Sequence, residues 1–267
     1  MSREARVVSP TGIYHVVVRG INKQRIFEDD KDNFRMLRII RECKEIYLFE
    51  LYAFCLMGNH MHLLMRVRDV AIGRVMKVIG TKYVLGFNLK YDRNGSLFQG
   101  RFSSKPVKTI GQFARTVRYI HQNPVMAGMC NLPGEHFFSS FGEYLSDLEG
   151  SSGNSGKSCI WDFVDKAYTY EVIPRERFIE FNSILKDEDE DENIQERELE
   201  PRIRRMTDDK ACLLMARISG CSNVSEFQAM ETGKRTRYLR EMKNKRIPVS
   251  QIIRITGLSR GVINKVK

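Results

Sequence analysis

FELYAFCLMGNHMHLLMRV, residues 49–67, consists of two apolar runs separated only by Gly58 and Asn59. Two such runs joined by a two-residue turn are typical of an antiparallel β-hairpin, although Asn-Gly is the commoner order at these turns. Because side chains alternate along a strand, His60 and His62 should share one face of the second strand, opposite an unbroken apolar face at 61, 63, 65 and 67. We therefore expect the apolar face to be the core and the two histidines to lie away from it.

Strand and helix periodicities alternate on both sides of this hairpin. They predict, in order, a strand at 13–19, a helix at 29–45, the hairpin itself, a helix at 71–89, a strand at 98–108 and a helix at 110–123. This order predicts an α+β fold, a ferredoxin-like antiparallel sheet with helices on one face.

The composition excludes several classes of protein. The chain has 267 residues and a mass of 31.1 kDa, enough for one large domain or two smaller ones, with 42% hydrophobic and 29% charged residues. No apolar run approaches the roughly 18 residues of a membrane span, and no signal-peptide core follows the N-terminus, so we expect a cytoplasmic protein that does not bind membranes. The six cysteines are widely spaced, which argues against a disulfide framework and against a cysteine zinc site.

The net charge of +11 is unevenly distributed. Residues 201–267 hold 16 Lys and Arg against 5 Asp and Glu, whereas residues 187–200 hold 9 acidic residues and a single arginine. We predict a first domain over 1–185 with its core at 8–145, an acidic linker at 186–200 and a small all-α domain at 201–267. Basic bodies of this kind bind polyanions, most often nucleic acid.

His60 and His62 form the first candidate site. Two imidazoles on one face of a strand can bind a divalent metal ion through neutral nitrogens. The same pair is also compatible with two ordinary half-exposed strand histidines, since a metal site needs a third ligand that the spacing does not reveal.

The helix at 110–123 offers such a ligand. One stripe of this helix is apolar, and a second stripe carries Tyr119 and Asn123, which lie one turn apart. An asparagine oxygen can complete a metal site while a tyrosine oxygen attacks an electrophile that the metal polarises. The stripe is also compatible with an ordinary solvated helix face. Pro124 disfavours helical geometry at the residue before it, so we expect Asn123 at the frayed end of the helix.

Three motifs taken together resemble those of a known family. LMGNHMHLL at 56–64, GSLFQGRF at 95–102 and RYIHQNPVMAGM at 118–129 are similar, in order and spacing, to motifs of the single-tyrosine HUH transposases, the IS200-like transposases. Within that family they most resemble the REP-associated tyrosine transposases. The resemblance covers residues 8–145, and it departs at Gly58, where many relatives have proline, and at Met126, where relatives often have arginine.

The resemblance implies a ferredoxin-like fold with the histidines on a central strand. It implies that His60 and His62 hold Mg²⁺ or Mn²⁺, that Asn123 completes the metal site, and that Tyr119 is the nucleophile. The implied reaction is cleavage of single-stranded DNA at the foot of a hairpin, which gives a 5′-phosphotyrosyl enzyme and a free 3′-OH that can reverse the step. The implied active unit is a monomer or a homodimer, because in some relatives two chains share each active site.

Basic side chains near these motifs are candidates for DNA contacts, since basic and aromatic groups together suit single-strand backbones and bases. The candidates are Arg101, Lys105, Arg115 and Arg118. The GSLFQGRF motif is equally compatible with a tight turn into an edge strand. His121 has no assigned role, and we expect it at the helix surface.

PVSQIIRITGLSRGVINKV, residues 248–266, predicts two short helices around Gly257 with the apolar spacing of a helix-turn-helix. The second helix is basic, and Arg260 and Lys265 are its candidate DNA contacts. This segment resembles the helical DNA-binding domain at the C-terminus of DnaA, which implies that it holds duplex or hairpin DNA while the first domain cuts the single strand. A small helical bundle with solvated charges is the alternative.

Two functions are compatible with these features. The first is metal-dependent cleavage and rejoining of single-stranded DNA through Tyr119, and the second is a catalytically idle regulator that binds hairpin DNA or RNA. The presence of His60, His62, Tyr119 and Asn123 favours the enzyme. A metal hydrolase that activates water is less well supported, because no carboxylates near the histidines supply a general base.

Overall fold

The computed structural model describes residues 6–149, 162–184, 208–245 and 247–266. The strands are β1 (Ile13–Arg19), β2 (Glu50–Met57), β3 (His60–Arg66) and β4 (Ser103–Pro106). The helices of the first part of the chain are α1 (Asp30–Tyr47), α2 (Ile72–Lys90), α3 (Ile110–Met126), α4 (Phe141–Glu149), α5 (Lys166–Val172) and α6 (Phe178–Ser183). The predicted acidic linker at 186–200 lies outside the described residues.

The four strands form one antiparallel sheet in the order β2-β3-β1-β4. Along the chain the elements follow the pattern β1-α1-β2-β3-α2-β4-α3, which is the ferredoxin-like arrangement. The predicted hairpin is present as β2 and β3, with Gly58 and Asn59 in the turn. The α+β prediction is therefore confirmed, and β1 and β3 are the two central strands.

The apolar face of β3 is the core, as the alternation predicted. Met61, Leu63 and Met65 are buried together with the inner positions of α1 and α2. Helix α1 begins after Asp29. The Asp29 carboxylate accepts a hydrogen bond from Asp32 N, and the Asp32 carboxylate accepts one from Asp29 N, so the two residues form a capping box. In α2 the buried stripe includes Tyr83 and Phe87, whereas Val84 is only half-buried.

The histidine face of the sheet is covered as well. The Tyr119 ring of α3 contacts the rings of His15 and His62, which places α3 on this face. Helices on one face only would leave the histidines open, and this detail of our expectation differs from the structure. The reason is that the apolar stripe of α3 also packs on the sheet: the Phe113 ring stands edge-on to Tyr52 of β2, with 5.1 Å between the ring centroids.

Two predicted boundaries are corrected. Helix α3 continues through Pro124 to Met126, so Asn123 lies inside the helix and is buried instead of frayed. A proline removes only one N–H from the helix, and the next turn is retained because Ala127 N donates to the Asn123 carbonyl at 2.9 Å. Strand β4 is shorter than the predicted 98–108, and Phe98 forms only an isolated bridge with Gly20.

The C-terminal body has a hydrophobic core of its own. Its helices are α7 (Asp208–Ser219), α8 (Val224–Ala229), α9 (Thr232–Asn244), α10 (Val249–Thr256) and α11 (Arg260–Lys265). Helix α10 ends at Gly257, whose φ of 65° is left-handed, and the buried positions after 248 include Ile252, Ile255 and Ile263. The helices and the apolar spacing agree with the sequence, while the DnaA-like assignment and the domain limits stay predictions.

The C-terminal body packs on a turn near the start of the chain, residues 20–28, which we call the docking turn. Asn22 Nδ2 donates to the Gly257 carbonyl at 3.3 Å, Gln228 Nε2 donates to Gln24 Oε1 at 3.3 Å, and Val224 N donates to a Glu28 carboxylate oxygen at 3.4 Å. The docking turn begins directly after β1, the strand that pairs with the histidine strand β3.

The described ranges hold five of the six cysteines. Five of the cysteines, at 43, 55, 130, 212 and 221, are free thiols, and Cys159 lies outside these ranges. None of the helices described is both long and apolar enough to cross a bilayer.

Candidate active site

Pairing of β1 with β3 brings three histidines together. Val17 lies opposite His62 and Arg19 opposite His60, so the β1 side chains at 15, 17 and 19 share the face of the two predicted histidines. The His15 ring stacks on His62 with 5.2 Å between centroids, and the rings of His60 and His62 are 4.9 Å apart. His15 was not singled out from the sequence. Its signal was the alternation in IYHVVVR, which needs the strand pairing to be used.

His62 is held in place by His15. Nε2 of His15 lies 3.0 Å from Nδ1 of His62, and both side chains are buried. The other ring nitrogen of His62, Nε2, is buried and has no hydrogen-bond partner among the described residues. An unpartnered buried nitrogen is unfavourable unless something else uses its lone pair, so this atom is suited to bind a ligand.

His60 is held from the other side. Its Nδ1 lies 2.6 Å from Oδ1 of Asn59, and its ring also hydrogen-bonds to the Asn123 side chain. Both candidate metal-binding histidines therefore have Nδ1 engaged by a neighbouring side chain. This is the usual arrangement around metal-binding histidines, where a second group fixes the orientation of the ring.

Burial keeps all three imidazoles neutral. Desolvation lowers the pKa of His15 to about 3, with a smaller contribution from the charge of Lys105. Desolvation and the Arg19 charge lower the pKa of His60 to about 4, although the hydrogen bond with Asn123 opposes this. Desolvation, followed by the neighbouring histidines and Arg19, places the pKa of His62 well below its ordinary value. Neutral imidazoles are the form that binds a metal ion.

Tyr119 and Asn123 lie on α3 over this face. The Tyr119 ring is half-buried and stands edge-on to His62 and His15, with centroid distances of 5.6 Å and 5.7 Å. Asn123 is buried one turn later, and its Nδ2 lies 3.5 Å from the Tyr119 carbonyl. The structure thus brings together, within one chain, all four residues that the sequence singled out for chemistry: His60, His62, Tyr119 and Asn123.

The predicted DNA contacts divide into two groups. Lys105 lies on β4 opposite His15, on the histidine face, and Arg101 and Arg115 are exposed. Arg118 is different, because its side chain is buried and its guanidinium lies over the Phe181 ring at 4.7 Å. A side chain buried in this way is poorly placed to bind a phosphate, which corrects the expected role of Arg118. A residue not singled out earlier, Arg19, adds positive charge beside His60.

The two C-terminal candidates lie in the other body. Arg260 and Lys265 are exposed on α11, the last helix described.

A second histidine cluster resembles a catalytic triad but is structural. His121, expected at the surface, is fully buried, with Nδ1 2.9 Å from Asn182 Oδ1 and Nε2 2.8 Å from Ser140 Oγ. Ser140 is also fully buried, and its hydroxyl donates to the Phe54 carbonyl while accepting from Phe54 N. A hydroxyl that is committed to the backbone and closed to solvent cannot reach a substrate, so this cluster joins α3 to α6 and the β2 strand.

Within the described ranges, no group of three or more His, Cys, Asp or Glu side chains is placed to hold a metal ion. A metal ion at His60 and His62 would therefore need an oxygen from another residue type, and Asn123 is a polar side chain of α3 in contact with His60.

Comparison with known proteins shows which family this part of the chain resembles. Residues 9–123 match the family model described as IS200-like transposase. The structure of a REP-associated tyrosine transposase bound to a REP hairpin is 21% identical over 62% of this chain and 98% of that chain, with a TM-score of 0.49. A candidate transposase from Deinococcus radiodurans R1 is 17% identical over 45% of this chain and 95% of that one, with a TM-score of 0.33. No curated protein matches.

The family match includes every residue of the site described above. His15, His60, His62, Tyr119 and Asn123 all lie between residues 9 and 123. Residues 9–123, which hold the whole candidate site, are therefore similar to the IS200-like transposase family.

Proposed function

We propose that this protein cleaves and rejoins single-stranded DNA in a metal-dependent reaction that uses Tyr119 as the nucleophile. The observation that carries the proposal is the position of Tyr119, whose ring stands edge-on to His62, a buried histidine with an unpartnered Nε2. A potential nucleophile and a potential metal ligand thus meet on one face of the sheet.

The donor set fits a divalent cation. His60 and His62 offer neutral imidazole nitrogens and Asn123 offers a carboxamide oxygen. Mg²⁺ prefers oxygen ligands and Mn²⁺ accepts imidazole more readily, so we expect both ions to support activity, with Mn²⁺ binding the protein more tightly. When bound, the ion would neutralise the charge of the phosphodiester and orient it for attack.

The protein's own part in the reaction is to hold Tyr119 at this site. The Tyr119 oxygen forms a bond to phosphorus while the bond from phosphorus to the 3′-oxygen breaks. In net terms the phenol proton is transferred to that oxygen, which leaves as a 3′-OH. One phosphate ester is exchanged for another, so the 3′-OH can later attack the phosphotyrosine and restore the DNA without an external energy source.

Positively charged side chains near the site support single-stranded DNA as the partner. Lys105 and Arg19 flank the histidine face, and Arg101 and Arg115 are exposed on the first domain. Cations at these positions suit a single-stranded backbone. We propose that the exposed Arg260 and Lys265 on α11 contact the duplex part of a hairpin, so that the C-terminal body holds the stem while the first domain cuts the single strand.

The oligomeric state is part of the proposal. Tyr119 contacts His62 of its own chain, which favours an active site completed within one protomer. A monomer is then sufficient for cleavage, and a homodimer in which two chains share each site is the alternative.

Covalent trapping tests the proposal. The full-length protein is incubated with labelled hairpin oligonucleotides that carry single-stranded flanks, with Mg²⁺ or Mn²⁺, and is then run on a denaturing gel. We expect a metal-dependent protein-linked band that is lost in Tyr119→Phe and kept in Tyr47→Phe, a change at another half-buried tyrosine outside the site. If oligonucleotides that bind give no adduct and no cleavage with either metal, the enzyme is excluded and a hairpin-binding regulator takes its place.

A second measurement tests the C-terminal body. Changing Arg260 and Lys265 together to glutamine should weaken binding to the hairpin more than binding to the isolated single strand. If the variant binds the hairpin and the single strand with the same affinities as wild type, α11 does not hold the stem.

A further inference from the structure

The turn between β2 and β3 does more than reverse the chain. Asn59, the second residue of this turn, uses both ends of its side chain. Its Nδ2 donates to the Lys23 carbonyl at 3.2 Å, and its Oδ1 lies 2.6 Å from Nδ1 of His60. One asparagine thus joins the docking turn to a candidate metal ligand.

The two contacts together determine the orientation of the amide and the position of one proton. A carbonyl oxygen such as that of Lys23 only accepts hydrogen bonds, so the nitrogen of the Asn59 amide must face it. The Asn59 oxygen then faces His60, and because an amide oxygen also only accepts, Nδ1 of His60 must carry the hydrogen. The neutral ring consequently keeps the lone pair on Nε2.

The backbone around Asn59 is held as firmly as its side chain. Gly20 N donates to the Asn59 carbonyl at 2.9 Å, and Ile26 N donates to the Gly58 carbonyl at 2.8 Å. The docking turn therefore hydrogen-bonds to the hairpin turn. It also hydrogen-bonds to the C-terminal body, through Asn22 and Gln24. A side chain anchored on such a support can hold His60 in one orientation.

We propose that Asn59 is a positioning residue that fixes His60 in the Nδ1–H tautomer and so presents Nε2 to the metal ion. The inference rests on the proposed function for the identity of the ligand, but the tautomer itself is a property of the metal-free protein. Asn59 does not contact the substrate in this proposal and acts only through His60.

The tautomer can be measured directly. The chain has only five histidines, so long-range ¹H–¹⁵N NMR of full-length protein labelled at histidine gives few signals, and each can be assigned by substitution. In metal-free wild-type protein at neutral pH we expect His60 as the Nδ1–H form. Asn59→Ala should shift it to the Nε2–H form, which is the more stable tautomer of free imidazole, whereas Asn59→Asp retains an acceptor oxygen and should keep Nδ1–H.

Metal binding is read separately, by electron paramagnetic resonance titration with Mn²⁺ alone and without DNA. We expect Asn59→Ala to weaken Mn²⁺ binding about 10- to 100-fold, the range typical for loss of a group that orients a ligand. Asn59→Asp should bind within a few-fold of wild type, although it loses the bond to Lys23. Both variants lose the hydrogen bond to Lys23, but only Asn59→Asp keeps an oxygen facing His60. Wild-type-like Mn²⁺ binding by Asn59→Asp would therefore show that Asn59 acts by positioning His60 and not by supporting the turn.

Two results would overturn the inference: a wild-type His60 in the Nε2–H form, or an Asn59→Ala protein with unchanged His60 tautomer and unchanged Mn²⁺ affinity. Failure of the proposed function has a different signature. In that case wild-type protein forms no Tyr119 adduct with either metal, while the His60 tautomer still depends on Asn59.

Discussion

Nε2 of His15 on β1 lies 3.0 Å from Nδ1 of His62 on β3, and the two rings are stacked in the buried centre of the sheet. The contact joins two strands whose side chains share a face only because Val17 lies opposite His62. It mirrors the contact between Asn59 and His60, so each candidate metal ligand is oriented through its Nδ1 by a different neighbour.

Replacing His15 should weaken metal binding without removing a ligand. His15→Leu leaves Nδ1 of His62 without a partner, and we expect Mn²⁺ affinity to fall about 10- to 100-fold. His15→Gln retains an oxygen that can accept from His62 and should lose less. Electron paramagnetic resonance titration with Mn²⁺ measures both. His136→Gln, at a half-buried histidine bonded to the Leu56 carbonyl, is the control and should bind like wild type. Equal affinities for all variants would contradict the role of His15.

Lys105 should contribute charge to single-strand binding. It lies opposite His15 on the histidine face, and its charge lowers the pKa of His15. For Lys105→Gln we expect several-fold weaker binding of single-stranded DNA at low salt. The slope of log affinity against log salt should fall by about 0.7, the value for one phosphate contact on a single strand. Fluorescence anisotropy over a salt series measures both, with the exposed Lys31→Gln on α1 as control. An unchanged slope would show that Lys105 does not contact a phosphate of the bound DNA.

Stability should depend on pH through Glu143. This carboxyl is buried, its Oε2 accepts from the backbone N–H groups of Phe163 and Val164, and burial raises its pKa from 4.5 to about 7. Because the folded state favours the protonated form, the free energy of unfolding should fall as the pH rises from 4.5 to about 7, by about 3 kcal/mol at most for this group.

Urea denaturation over this pH range tests the effect against Glu143→Gln, which cannot ionise and should show a flatter pH dependence. Burial also raises the pKa of Glu28 to about 7, but Glu28 is present in both proteins and does not affect their difference. Parallel pH profiles for wild type and variant would rule out Glu143 as the source.

Gly257 should be intolerant of a side chain for two reasons that can be separated. Its φ is +65°, and a Cβ would lie 2.5 Å from Gln228 Nε2 and 2.7 Å from Gln24 Cβ. Gly220 has a φ of +73° but nothing within 4 Å of a Cβ, so Gly220→Ala carries the backbone strain alone. We expect Gly220→Ala to cost about 1 kcal/mol and Gly257→Ala clearly more, together with faster hydrogen exchange in α10. Equal losses of stability would mean that the docking turn does not restrict Gly257.

Sequence alone was sufficient for the strand and helix order and for the hairpin, because these depend on local periodicity. A motif singled out the four residues that the structure brings together, and their roles stay predictions. His15, Arg19 and Asn59 were not found, because their roles depend on which strands pair and on how two turns meet. Arg118 and His121 were expected at a helix surface and are buried. Helical periodicity identifies an apolar stripe, but it does not show that a polar stripe is covered by hydrogen-bonding partners such as Asn182.

The close approach at Gly257 has a consequence for how this protein can be recombined. The end of α10 packs closely against residues of the docking turn. Asn22 donates to the Gly257 carbonyl, and Gln24 lies so near Gly257 that a methyl group there would clash with it. A C-terminal body transplanted from a relative would meet a surface made for a different partner. Chimeras that exchange residues 208–266 together with residues 20–28 should therefore fold more stably than chimeras that exchange residues 208–266 alone.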